Sequence, residues 1–442
     1  VSGLTREDLL AIGESALEQA GDRQAEVIVV EESTELTRFA DNRIHQNVAE
    51  RAVRLRARLI ADNRVGVAEI RGERDGALQR LLTNAEQARA IREPEEVTPL
   101  PVPDGGADSP VAYSAVTAAT NPEERADRVA VITGEASRRG LSAFGSLSTS
   151  TTSTAIVNTN GVRRQATFTQ ASLTSVVRGD AGAGYAARHA VDFAGLDAAG
   201  LAAEVIETCE RNQNAEAIDP GDYEVVLTPY AMADMLEHLS WTGFNALAKQ
   251  EHRSFMRIGE RLMHESVTIV DDSHDPDVFP FPFDFEGVST KVTTLIEGGV
   301  CRGFVYDTPT ALRDGVNSTG HSLPQPNTFG PYARHLVMRS GAVPSTALIE
   351  GVGRGLYVTR LWYVRDVHPL RTIITGMTRE GTFLIENGRL TRPVRDLRFT
   401  QSIIDALAGV RQLSSDRHLE LGEDGTAVSA PWVHLGHFNF SS

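Results

Sequence analysis

The spacing of hydrophobic positions changes twice within the first sixty residues. Leu9, Ile12 and Ala16, with Leu10 and Leu17 beside them, recur at helical intervals. Thr5-Arg6-Glu7-Asp8 precedes them and resembles a capping box, with Asp in place of the usual Glu. Gly21 is a suitable C-cap. AEVIVVE at 25–31 then reads as a buried strand. Across 51–60, Val53, Leu55, Ala57 and Leu59 alternate with Arg54, Arg56 and Arg58, which predicts a strand with one apolar and one solvated face. Asp62-Asn63 supplies a turn, and Val65 and Val67 begin a return strand. A helix over 75–90 completes an N-terminal α/β unit.

Pro94, Pro99, Pro101, Pro103, Pro110 and Pro122, with Gly105-Gly106 between them, mark a connector and a nearby domain boundary. A helix follows at 122–139. SLSTSTTST (146–154) is low in complexity, yet with AIVNTNGVRRQATFTQAS it reads as a β-hairpin with Asn160-Gly161 as a type I′ turn. A helix over 195–211 comes next. From 222 onward the pattern is mainly β, with one helix at 229–250. TTLIEGGVCRGFVYD (293–307) and GTFLIENGRLTRPVRD (381–396) echo each other as hairpins. The fold class is therefore α+β: an N-terminal α/β domain over 1–100, a central α/β segment over 101–215 after the Pro-rich connector, and a mainly antiparallel β C-terminal domain over 216–442.

Composition narrows the function. The formal charge of −16 repels nucleic acid and anionic membrane, and no Lys/Arg run offsets it. No window of about 18 apolar residues exists, which argues against a membrane span. The N-terminal VSGLTREDLL lacks a basic stretch followed by an apolar one, so no secretory signal is visible. Cys209 and Cys301 are the two cysteines of a 442-residue chain, too few for a disulfide framework and consistent with a reducing cytoplasm.

HESVTIVDDSHD (264–275) begins like a zinc-protease HExxH. That motif needs two His one helical turn apart, and position 268 is Thr. Val267, Ile269 and Val270 mark the stretch as a strand, which puts His264 and Glu265 on opposite faces. Asp271, Asp272 and Asp275 lack EF-hand spacing and read as an acidic turn with His274. His238 and His252 form no i, i+4 pair. Cys301, on a hairpin strand, reads as a structural thiol. GVGRGLY (351–357) holds three glycines without a phosphate-binding context. These residues define no catalytic constellation.

An ordered set of segments is more specific. SFMRIGERL and VTIVDD (254–272), FDFEGVSTKVTTLIEGGVCRGFVYDTPTA (283–311), STGHS (318–322), GVGRGLYVTRL (351–361) and ITGMTREGTFLIENGRLTRPVRDL (374–397) resemble, in order and approximate spacing, the TldD/PmbA family. GRGLYVT looks more like the PmbA (TldE) branch. The resemblance implies a cytoplasmic metalloprotease built as a TldD–TldE heterodimer that degrades or trims unfolded peptides. The TldD half carries zinc on H-E-x-x-x-H and a late Cys, and the TldE half lacks them.

Aligned on SFMRIGE, the H-E-x-x-x-H positions fall on Leu236-Glu237-His238-Leu239-Ser240-Trp241, and the late Cys falls near Leu421. A register three residues on puts Leu239 and Phe244 there. The family ligand positions are thus Leu236, Trp241 and Leu421. By this reading the chain has no catalytic residues, no cofactor site and no metal ligands of its own, and zinc belongs to a TldD-like catalytic partner. It would pair with that partner, or as a homodimer when alone, and hold an unfolded peptide as an added strand. Two other readings stay open. One is a stand-alone metallopeptidase with a substitute site drawn from His238, His252, His264 and Cys301. The other is a non-enzymatic regulator that binds a protein partner.

Overall fold

The computed structural model describes residues 3–72, 76–94, 96–107, 112–422 and 425–442. Pro110 of the expected connector and residue 75 of the expected helix over 75–90 lie outside the described residues. Helix α1 (Arg6–Ala20) starts at the capping box read from the sequence: the Asp8 N–H donates to the Thr5 hydroxyl, and the Thr5 N–H donates to the Asp8 carboxylate at 2.8 Å. Strands β1 (Gln24–Ala40), β2 (Arg43–Ala61) and β3 (Arg64–Arg71) form a meander, and α2 (Ala77–Ala90) packs on it. After the connector come a single turn α3 (Ala115–Ala118) and the long helix α4 (Pro122–Arg138). Strands β4 (Ser142–Asn158), β5 (Arg163–Arg178) and β6 (Ala183–Ala190) follow, then α5 (Ala198–Arg211).

These strands make one antiparallel sheet in the order β3-β2-β1-β4-β5-β6. Strand β1 pairs with β4, so the stretches 1–100 and 101–215 share a sheet. Odd-numbered β4 residues set the covered face: Ala155 and Val157 meet α1, while Ala143 and Leu147 meet α4 and α5. The β4–β5 turn falls at the expected NTNG, but its chemistry differs. Asn158 organises it, accepting from the Asn160 and Val162 N–H groups, and only Gly161 takes a positive φ, 94°. That is a three-residue loop ending in a left-handed glycine rather than a type I′ turn.

The second sheet begins with β7 (Gly221–Leu227). Helix α6 (Pro229–Thr242) follows, then α7 (Ala246–Gln250), β8 (Ile269–Asp271), β9 (Thr293–Glu297), β10 (Val300–Cys301) and α8 (Thr308–Asp314). The rest is β11 (His335–Met338), α9 (Ser345–Glu350), β12 (Arg354–His368), β13 (Ile373–Glu386), β14 (Arg389–Val394), β15 (Arg398–Ser402), α10 (Ile403–Ala408), β16 (Val410–Leu421) and β17 (Ala427–Phe440). Its eleven strands centre on β17. The β7–β12 and β11–β17 pairings are parallel and the others antiparallel, so the mainly antiparallel expectation holds. The single helix expected at 229–250 is broken: a Cβ at Gly243 would lie 2.4 Å from the Phe255 ring, and Asn245 caps a new helix by accepting from the Ala248 N–H.

The arginine stripe of β2 is the solvated face its alternation predicts only in part: Arg54 and Arg56 stay half-exposed, while the loop 281–288 covers Arg58. Arg58 is 6% exposed, donates to Glu26 at 3.0 Å and lies 4.0 Å from Glu286. Arg164 on β5 stacks 4.9 Å from the Phe283 ring centre and donates to Ser289. Asp284 shapes the loop by accepting from the Glu286, Val288 and Ser322 N–H groups. Burial, reinforced by neighbouring Glu286, still pushes the Asp284 carboxyl well above its usual range. Burial likewise raises Glu26, and it raises Glu286 to about 7 against the pull of Arg58.

Candidate functional site: a cleft on helix α6

Tyr230, Asp234, Glu237 and Trp241 recur at three- or four-residue intervals and share one face of α6. Pro229 and the Thr228 position start this helix, and its opposite face, with Leu236 and Leu239, is buried in the core of the second sheet. The polar face forms one wall of a cleft of about 370 Å³. The facing wall is β12 from Arg360 to Asp366, and the end of β16, at Leu421 and Gly422, closes it. Of the three expected ligand positions, Trp241 and Leu421 therefore meet in the cleft. Leu236, fully buried, points into the core instead.

The polar groups of the cleft are engaged with one another. His238 lies on its rim with Nδ1 2.9 Å from the Asp234 carbonyl oxygen, which places the ring proton on Nδ1. The Arg360 guanidinium pairs with Glu380 at 3.0 Å and covers the Tyr185 ring at 4.0 Å. Burial, with the charge of Glu420, raises the Tyr185 phenol far above its usual range, so it is neutral. Burial works to raise Glu420 too, but His189 and His418 outweigh it and hold that carboxylate below its usual range. The Glu420–His418 contact is 3.2 Å. Trp241 stacks at 4.5 Å on Tyr332.

A zinc set does not fit here. The cleft offers one imidazole, on the rim, and its other walls at the expected positions are indole and isobutyl groups. Among the described residues no group of three or more His, Cys, Asp or Glu side chains is placed to hold a metal ion. The arrangement can enclose and contact a side chain, and it carries a neutral phenol and paired carboxylates.

The remaining sequence candidates are dispersed. His264 and Glu265 sit in a turn, not on a strand, since β8 is only three residues long; His264 Nδ1 contacts the Ser266 hydroxyl at 2.9 Å. The acids after it end β8 and enter the expected turn, where the Asp275 N–H donates to the Asp272 carbonyl oxygen, and they are buried ion-pair partners. Asp271 lies 3.0 Å from His321 Nε2 and accepts from the His335 N–H. Burial opposes ionisation of Asp271, yet the two histidines outweigh it and hold the carboxyl far below its usual range. Asp272 and Asp275 both accept from Arg339, and Asp275 also from Arg417. His274 and His252 are exposed. Cys301 is buried and burial raises its thiol, the structural role read from the sequence. In GVGRGLY, a Cβ at Gly355 would lie 2.3 Å from the Glu224 carbonyl oxygen, so this glycine serves the β7–β12 approach. Tyr185, Tyr230, Arg360 and Glu420 were missed, because they converge from four separate elements. The i, i+4 pair Glu237/Trp241 was the one signal that could have found the cleft's helix.

Residues 220–442, which include the whole second sheet and α6, match the PmbA/TldA metallopeptidase C-terminal domain, so this half is a metallopeptidase-type domain. The chain belongs to the PmbA/TldD metallopeptidase family. It is 30% identical over 172 residues, 38% of its length, to an uncharacterised protein of Methanocaldococcus jannaschii, covering 40% of that protein. It is 29% identical over 138 residues, 30% of its length, to a metalloprotease PmbA homologue of Haemophilus influenzae, covering 28% of it. The aligned stretches thus span less than half the length of these relatives. The fold is that of TldE from Thermococcus kodakarensis, with a TM-score of 0.87 at 18% identity over 99% of both chains.

Proposed function

We propose that this chain is the non-hydrolysing, PmbA/TldE-like half of a cytoplasmic metallopeptidase, paired with a TldD-like chain that carries the zinc. Its work is to hold unfolded peptides while the partner cuts them. The observation that carries the reading is the α6 cleft: where the family resemblance puts metal ligands, Trp241 and Leu421 meet, and Leu236 is turned into the core. Peptide holding requires only edges, apolar walls and hydrogen-bonding groups, with no titrating residue.

A pairing surface is supported by the far end of the β12–β13 hairpin. Trp362, Tyr363, Val367 and Leu370 are exposed there, Tyr363 at 68%. Tyr363 also holds φ at 54°, a left-handed conformation that a bulky residue adopts at a cost. Exposed aromatics of this kind are typical anchors of protein interfaces. Among the described residues no helix is long and apolar enough to cross a membrane.

The test is elemental analysis and peptide cleavage, with the chain alone and mixed with a TldD-like chain. Near-zero zinc alone, and chelator-sensitive cleavage only in the mixture, is the expected result. About one zinc per chain together with chelator-sensitive cleavage by the chain alone would overturn the reading and return attention to His238, His252, His264 and Cys301.

A further inference from the structure

A second cleft, of about 720 Å³, lies between the even-numbered face of the six-stranded sheet and the loop at 279–285. That volume is within the range of ligand sites. One wall is a ladder of hydroxyls on β4: Ser148, Ser150, Thr152 and Thr154. The facing wall carries Phe279, Phe281, Phe285 and Arg334. The even-numbered positions of the low-complexity SLSTSTTST segment are therefore the floor of a cleft.

The charge of this cleft runs against that of the molecule. Four arginines line it, Arg54, Arg56, Arg71 and Arg334, against two glutamates, in a chain of net charge −16. Two of the arginines are neutralised: Arg54 pairs with Glu32 at 3.0 Å and Arg56 with Glu69 at 2.9 Å. Arg334 is not. Its guanidinium faces the Phe285 ring at 5.6 Å, and among the described residues no carboxylate is within ion-pair distance of it. Asp271, whose charge acts on it, is already engaged by His321 and the His335 N–H. Burial accordingly lowers the proton affinity of Arg334. A partly buried cation without a counter-ion is costly to keep, and a guanidinium fork matches a carboxylate with two parallel hydrogen bonds.

We propose that this cleft binds a carboxylate borne by an unfolded peptide, with the carboxylate on Arg334 and an adjoining apolar side chain against Phe281 and Phe285. The hydroxyl ladder supplies hydrogen bonds to the peptide main chain without regard to its sequence. This deepens the reading of the chain as a peptide-handling subunit and rests on it. It concerns a surface apart from the α6 cleft.

The test is calorimetric titration of the whole chain, without a partner, with three acetylated pentapeptides. The first ends in Leu-Phe with a free carboxylate, the second is its C-terminal amide, and the third is an amide with Asp before the Leu-Phe. We expect the first or the third to bind at least tenfold more tightly than the second, and which of the two does so separates a terminal from a side-chain carboxylate. Arg334→Gln should abolish that difference while leaving the affinity of the plain amide unchanged. Phe281→Ala should weaken all three alike. Equal affinities for the three peptides, no binding of any of them at millimolar concentration, or a discrimination that survives Arg334→Gln would each overturn the proposal. The comparison among peptides on the unmodified chain stands even if a variant misfolds. Because it reads binding and not cleavage or zinc, its failure is distinct from failure of the subunit assignment.

Discussion

The Arg58 guanidinium donates to Glu26 across the β1–β2 pairing at 3.0 Å, and both side chains are almost wholly withdrawn from solvent. Glu286 of the loop 281–288, 4.0 Å from Arg58, shares the same positive charge. One cation thus serves acids from both halves of the molecule, and it fastens the first sheet to the second part of the chain. Removing one partner of such a group leaves buried charge uncompensated. Arg58→Met should lower the unfolding free energy by about 3 kcal/mol at pH 8, measured by urea denaturation. The loss should be smaller at pH 5, where the abandoned carboxylates take up protons.

The same cluster sets a pH dependence. Glu286 has its carboxyl raised from 4.5 to about 7 in the folded chain. The folded state therefore binds this proton more tightly than the unfolded state. The resulting stability is complete below about pH 4.5 and is lost as pH rises through about 7. Its size is on the order of 3 kcal/mol. Asp284 and Glu26 are shifted in the same direction. Asp271 and Glu420 are shifted the other way, so their contribution is present above the ordinary carboxylate range and is lost only as pH falls below it. Glu286→Gln should flatten the slope of stability between pH 4.5 and 7 and leave the acid limb in place. An unchanged slope would refute the assignment.

Gly243 separates α6 from α7. A methyl group there would lie 2.4 Å from two carbons of the Phe255 ring. Gly243→Ala should therefore cost about 1–3 kcal/mol through overpacking, visible as a lowered denaturation midpoint. It should also disturb the α6 wall of the cleft, which intrinsic tryptophan fluorescence at Trp241 would register.

The exposed end of the β12–β13 hairpin gives a test of pairing that stability does not confound. Tyr363 is 68% exposed and sits at φ 54°, a conformation that Asp tolerates better than Tyr. Tyr363→Asp should change folding stability by less than about 0.5 kcal/mol. If this surface anchors a TldD-like chain, the variant should weaken that association tenfold or more, read by analytical ultracentrifugation of the mixture. Unaltered association would place the pairing surface elsewhere.

Local order was legible in the sequence. The Thr5/Asp8 cap, the period-two run of β2, the position of the NTNG turn and the α+β class all depend on residues a few positions apart, and local spacing carries that information. The ordered family segments added the metallopeptidase relationship across the second sheet. The tertiary structure decided what faces those elements. Arg54, Arg56 and Arg58 have the alternation of a wet strand, yet a loop more than two hundred residues later covers the last of them. Asp271, Asp272 and Asp275 read as an acidic turn, and their burial and pairing were not legible because their partners His321, Arg339 and Arg417 are remote in sequence. Alignment placed Leu236, Trp241 and Leu421 at equivalent positions, but only helix rotation and the path of β16 put the last two in one cleft and the first in the core. Periodicity fixes which residues share a face; which charge or ring lies across from that face is settled only when the chain closes on itself.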